Sequence, residues 1–201
     1  MTELIAHRKN TIEELKTTPT KYGIEVDIRS FGNKLVIHHD PFTEGESFEN
    51  WLTEYRHGTL ALNVKEEGLE ARLIDLMKSH KIEDYFFLDQ SFSFLVKWAF
   101  KGEHRCAVRV SEFESMETAL SLTGRIDWAW VDYFTYFPLT EEDAWHLQNA
   151  GFKLCLVSPE LQGLDAAIEI PKLKRLLLDR NIHPTAICTK FPELWNEITP
   201  S

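Results

Sequence analysis

A chain of 201 residues, 43% of them hydrophobic, suits one domain with a sizeable core. Its formal net charge of −10 argues against nucleic-acid backbones and anionic membrane surfaces as partners, because both would repel it. No apolar run approaches the roughly 20 residues of a membrane-spanning helix, and the opening MTELIAHRKN reads as a strand with a polar exit rather than a secretory leader; a cytoplasmic protein is expected. Cys106, Cys155 and Cys188 each sit in an apolar, strand-like run without CxxC or CxH spacing, which points to buried free thiols and away from zinc.

Short apolar runs predict strands over 3–6, 23–29, 34–38, 59–64, 85–88, 105–110, 128–131, 153–157 and 185–188. Most are apolar on both faces, as strands of a buried parallel sheet should be. Helical periodicity lies between them, over 67–80, 92–100, 115–121, 140–150 and 170–180. The TEED at Thr140 makes a capping box, Gly151 follows that helix, and Pro171 falls near the first turn of the last one. Only Gly32 and Asn33 separate the second and third runs, so the third is read as a strand returning beside the second. The remainder counts to eight βα units, which suggests a single-domain (β/α)8 TIM barrel over 1–201, with a doubly wound open sheet as the alternative.

In such a barrel the chemistry sits at the C-terminal ends of the strands. Those ends deliver His7 and Arg8, Glu25 and Asp27, His39 and Asp40, Asn63 and Lys65, then Asp89, Arg109, Glu112, Asp132 and Lys190. Glu25 and Asp27 are two apart and share one face of their strand. Turned inward, two adjacent carboxylates call for a neutralising cation, and oxygen donors of this kind suit Mg²⁺ or Ca²⁺. Turned outward, they are simply the solvated side of an edge strand whose Val26 and Ile28 are buried. Two histidines flanking the pair favour the first reading, since a histidine pair can act as base and acid across one reacting centre while Lys65 and Arg8 hold an anion. His38, next to His39, points the other way and is expected to be structural. Trp128 and Trp130 share a face and read as core, while Tyr133 and Tyr136 are better suited to the barrel mouth.

AHRKNTIEEL, GIEVDI, KLVIHHDP, LNVK and AICTKFPELW, in this order, resemble the successive motifs of the glycerophosphodiester phosphodiesterase family. Related sites occur in the phosphatidylinositol-specific phospholipase C group. The resemblance implies a metal-dependent phosphodiester hydrolase acting on a small or glycan-linked phosphodiester. In it His7 and His39 are the acid–base pair, Glu25, Asp27 and Asn63 hold one divalent cation (Mg²⁺ or Ca²⁺), and Arg8 and Lys65 contact the phosphate. A hydroxyl of the substrate's own alcohol would attack phosphorus and form a cyclic phosphate. Four departures stand out: Asn63 replaces an acidic residue, the loop after the HR is shortened to HRKNT without the family's glycine, Lys190 replaces the last strand's aspartate, and the stretch 41–62 leaves the family's insertion subdomain reduced or absent. Asp89 or Asp132 could then make good the missing ligand. A barrel with a decayed metal site, serving as a phosphate- or ligand-binding regulatory protein, is the competing reading, followed by a TIM-barrel enzyme of other chemistry.

Overall fold

The computed structural model describes residues 2–196. In chain order the elements are β1 (Glu3–Ala6), α1 (Ile12–Thr17), β2 (Gly23–Phe31), β3 (Lys34–Ile37), β4 (Glu46–Ser47), α2 (Phe48–Glu54), β5 (Leu60–Val64), α3 (Glu70–His80), β6 (Tyr85–Leu88) and α4 (Phe92–Ala99). They continue with β7 (Ala107–Val110), α5 (Met116–Leu120), β8 (Trp128–Val131), α6 (Glu141–Asn149), β9 (Lys153–Val157), α7 (Ala166–Asp179), β10 (Ala186–Thr189) and α8 (Pro192–Asn196).

Parallel ladders join β1 to β2, β2 to β5 and β5 to β6. Others join β7 to β8, β8 to β9, β9 to β10 and β10 back to β1. First and last strands are thus neighbours, and the sheet curls on itself. Between β6 and β7 the junction is a single bridge, Phe87 to Cys106, with Phe87 N–H donating to the Arg105 carbonyl at 2.8 Å. β3 returns antiparallel along the end of β2, with Gly32 supplying the positive φ that the tight turn requires. Gly23 opens β2 because a Cβ there would lie 2.6 Å from the Thr59 carbonyl oxygen and 2.9 Å from Ile5.

The alternation along each strand sorts residues onto two cores. Val26, Ile28, Leu62, Val64, Val108, Leu154 and Leu156 face the helices. Ile5, Phe86, Leu88, Trp128, Trp130, Cys155, Val157 and Cys188 fill the inside of the curl, where Phe86 and Trp128 stack with centroids 4.5 Å apart. All three cysteines are free and buried. Among the described residues no helix is long and apolar enough to cross a membrane.

The expected strands and five expected helices are present, and three helices were not anticipated. α1 is short, but a capping box between Thr11 and Glu14 starts it; Ser47 caps α2, and α8 covers the start of β1. α7 begins at Ala166, where Asp165 accepts from the Ala167 and Ile168 N–H groups, so Pro171 lies inside the helix rather than in its first turn.

Candidate active site

Glu25 and Asp27 are 1% and 0% exposed, so the solvated-edge alternative is excluded. β2 is flanked by β1 and β5, and both carboxylates point into the curl. Parallel register sets Asp27 beside Asn63, and the Lys65 N–H to Ile28 carbonyl bond at 3.0 Å carries β5 one residue further. Two strands packed side by side therefore bring four of the predicted residues together.

Each carboxylate is held from several sides. Glu25 Oε2 accepts the Arg8 backbone N–H at 2.7 Å, and Oε1 accepts from Asn63 Nδ2 at 2.8 Å. Asp27 Oδ2 accepts from Asn10 Nδ2 at 2.8 Å and lies 3.2 Å from Arg8 Nε, while Oδ1 lies 3.2 Å from Lys65 Nζ. Asn10 also accepts the Asp27 backbone N–H through Oδ1 at 3.1 Å. Sequence reasoning missed this two-point clamp. Asn10 is three residues past His7, and only the reversal of the chain after β1 returns it to β2. Arg8 makes that reversal with φ of 53°, left-handed backbone that is uncommon outside glycine and asparagine.

His7 Nε2 lies 3.7 Å from Glu25 Oε2, and its Nδ1 is buried without a partner. Burial, with the Arg8 charge beside it, lowers the His7 pKa to about 3, so the ring is neutral at pH 7. Burial and the neighbouring Asp27 raise Glu25 to about 7. Asn63 Oδ1 is likewise buried without a donor, and Asp27 Oδ1 has only the Lys65 ammonium beside it.

His39 stands apart from this network. Its side chain is exposed on the loop after β3, with Nδ1 2.8 Å from Asp40 Oδ1. The loop is tied down through backbone: Arg29 donates from Nε and Nη2 to the His39 carbonyl at 3.0 and 2.9 Å, and from Nη1 to the Lys65 carbonyl at 3.3 Å. Six of the seven predicted site residues therefore meet, and His39 lies on the rim. His38 closes a local turn, accepting the Asp40 N–H at 3.0 Å, as a structural residue would.

A second charged network occupies the ends of β6, β7 and β8. Lys65 reaches Asp89 at 3.3 Å, and the Arg109 guanidinium forks between Asp89 and Asp132. Gln162 Nε2 donates to Asp132 Oδ1 at 3.0 Å. Burial raises Asp132 to about 6 against the pull of Arg109, whereas at Asp89 the charges of Arg109 and Lys65 outweigh burial and lower it. Both aspartates are engaged with Arg109, as Asp27 is with Arg8 and Lys65. At the end of β10, buried Glu160 accepts from Thr189 Oγ1 at 2.6 Å and from the Lys190 N–H at 2.9 Å, holding the strand end in place.

Among the described residues no group of three His, Cys, Asp or Glu side chains gathers as a metal cluster. The donors that converge at β2 and β5 are two carboxylates and one amide oxygen. Hard oxygen donors, with Asn63 Oδ1 left without a hydrogen-bond donor, fit a Mg²⁺- or Ca²⁺-type ion. Such an ion would share Asp27 with Lys65 and Arg8.

No family model and no curated protein sequence matches the chain. Solved structures do. A glycerophosphodiester phosphodiesterase from Agrobacterium tumefaciens str. C58 is similar at 14% identity, over 98% of this chain and 100% of that one, with a TM-score of 0.68. A glycerophosphoryl diester phosphodiesterase from Parabacteroides distasonis ATCC 8503 is similar at 13% identity, over 100% of this chain and 88% of that one, with a TM-score of 0.65. At these identities the likeness is one of fold: over nearly its whole length the chain carries the α/β fold of glycerophosphodiester phosphodiesterases, the family whose motifs its sequence resembles.

Proposed function

We propose that the chain is a phosphodiester hydrolase built on a (β/α)8 barrel closed at the β6–β7 bridge. The observation that carries this reading is the network of His7, Arg8, Glu25, Asp27, Asn63 and Lys65 around two buried carboxylates, in which His7 Nδ1 and Asn63 Oδ1 are buried without a partner beside two cations. Purely structural ion pairs in an interior are normally saturated; this one is not. Glu25, Asp27 and Asn63 would hold one divalent ion, which supplies charge neutralisation for the phosphate when bound. Lys65 and Arg8 would orient the phosphate oxygens. Neutral His7 takes the proton of the attacking hydroxyl through an unprotonated ring nitrogen.

The attacking oxygen belongs to the substrate's own alcohol. As its bond to phosphorus forms, the bond from phosphorus to the second alcohol breaks, and that leaving oxygen takes a proton. We assign the proton to His39, which acts from the rim with Asp40 at its Nδ1. The product is a cyclic phosphate plus the free alcohol, and water can open the ring by the same two proton transfers in reverse.

A screen of small phosphodiesters with and without Mg²⁺ or Ca²⁺, followed by phosphorus NMR, tests this. Release of an alcohol with a transient cyclic phosphate, lost on chelation, is the expected result. No turnover of any diester at saturating metal, or no metal-induced rise in melting temperature, would sink it.

A further inference from the structure

The β6–β7 junction differs from every other in the sheet, because one bridge at Phe87–Cys106 is all that joins the two strands. Beyond it Asp89 takes a φ of 61°, and the chain leaves β6 before β7 begins its run. A cleft of about 310 Å³ opens there, between α4 and α5. Its lining includes Ala107 and Arg109, which continue the inner face of β7, and also Val108 and Leu95, which belong to the outer core. A lining drawn from both faces marks a gap in the wall. That volume is at the lower end of the range for small-molecule sites, roughly 300–1,000 Å³.

The cleft adjoins the site already described through its lining residue Asp89, since Lys65, which pairs with Asp27, also pairs with Asp89, and Asp89 pairs with Arg109. Two features say what it would accept. Gln90 lines it, and Gln90 Nε2 donates to Glu70 Oε1 at 2.9 Å, which fixes the sense of the amide. The remaining atom, Oε1, is a buried acceptor with no donor, and it calls for a ligand O–H or N–H. Two exposed rings also line the cleft, Phe92 and the 77% exposed Phe113, whose ring centroid is 6.0 Å from that of Phe134. Aromatic faces of this kind pack against the C–H face of a ring.

We propose that this gap is the subsite for one of the two alcohols of the substrate, and that the alcohol is a sugar ring. A ring offers C–H surface to Phe92 and Phe113 and a hydroxyl to Gln90 Oε1. An alkyl chain leaves that acceptor unpaired, and glycerol leaves the aromatic faces uncovered. The inference rests on the phosphodiesterase reading of the adjoining network.

Calorimetric titration of the wild-type protein in Mg²⁺ tests it, using methyl phosphodiesters of glucose (through C1), cyclohexanol and glycerol, with dimethyl phosphate as the bare diester. The glucosyl diester should bind about tenfold or more tightly than the cyclohexyl and glyceryl diesters, because only it satisfies both features. In Phe113→Ala the ratio of glucosyl to dimethyl affinity should fall about two- to tenfold. Phe113 is exposed, so folding is not at issue. Equal or tighter binding of the cyclohexyl diester would give the cleft to an apolar group and overturn the sugar. Equal binding of the glyceryl diester would do the same in favour of a small alcohol. An unchanged ratio in Phe113→Ala would put the ring elsewhere. If dimethyl phosphate binds and the series is flat, this inference alone falls; if no diester binds, the phosphodiesterase reading falls and takes it along.

Discussion

The two charged networks at the strand ends are built from the same materials and finished differently. On β6, β7 and β8, Asp89 and Asp132 share Arg109, Lys65 closes one end and Gln162 the other. On β1, β2 and β5, Glu25 and Asp27 also face an Arg and a Lys, yet His7 Nδ1 and Asn63 Oδ1 remain without partners. Unpaired buried polar atoms are costly. No buried side-chain atom of the first network's own members lacks a partner, whereas two of the second's do, which fits the proposal that the first holds the wall together and the second binds a ligand. Both lie over the aromatic fill of Phe86, Trp128 and Trp130, which excludes water and strengthens every charge above it.

The largest contrast should appear in turnover. His7→Ala should lower it by about 10²–10⁴-fold, as loss of a general base does, while Gln162→Ala, on the paired side, should cost well under tenfold. Steady-state rates on a cleaved diester check this, and equal losses would erase the distinction between the networks.

Stability in the absence of metal comes next. Asp27→Asn strips Arg8 and Lys65 of their shared carboxylate and should lower the unfolding free energy by about 1–3 kcal/mol. That is below the fully buried range, because Arg8 is exposed and Lys65 half-buried. Glu25→Gln should cost less, since burial and Asp27 already destabilise its carboxylate. Urea midpoints at pH 7.5 measure both, and the reverse order would mean that Glu25 carries the pairing.

A titration isolates His7. Its folded pKa, about 3, lies below the unfolded value of 6.5, so the unfolded state binds the extra proton in between. Its contribution is complete above pH 6.5 and is lost as pH falls toward 3. Between pH 7 and pH 5 the wild type should lose about 1–2 kcal/mol more than His7→Gln. The comparison with the variant matters because the raised Glu25 acts in the opposite direction, adding stability below pH 4.5 that disappears as pH rises through 7. Parallel pH profiles for the two proteins would show that the ring is not held neutral.

The smallest effect concerns Asn63. Asn63→Asp replaces a donor to Glu25 with a third carboxylate, so the metal-free protein should melt lower and the Mg²⁺ or Ca²⁺ affinity should tighten, about tenfold. The metal-dependent rise in melting temperature reads this without any assay of turnover. An unchanged rise would remove position 63 from the metal shell.

Much of this was legible in the chain itself. Short runs, most of them apolar on both faces, located the strands because a buried parallel sheet is covered on both sides, and the Gly32-Asn33 turn identified β3 as a returning strand because two residues cannot cross over a sheet. Spacing set Glu25 and Asp27 on one face, for pleated backbone has no other option. The helices that escaped notice, α1, α2 and α8, are five to seven residues long, too short for periodicity to speak.

What the tertiary structure decided is everything that depends on which strand lies beside which. In sequence the carboxylate face of β2 fits a solvated side as well as an inward one; only flanking by β1 and β5 buries it. The left-handed turn at Arg8 returns Asn10 to Asp27, a contact across 17 positions that no local pattern encodes. Asp89 and Asp132 are consumed by Arg109, and His39 sits on the rim, because the loop after β3 is anchored by its carbonyl and not by its ring. Local sequence dictates which way a side chain points from its own backbone; the packing of distant strands dictates what it meets there.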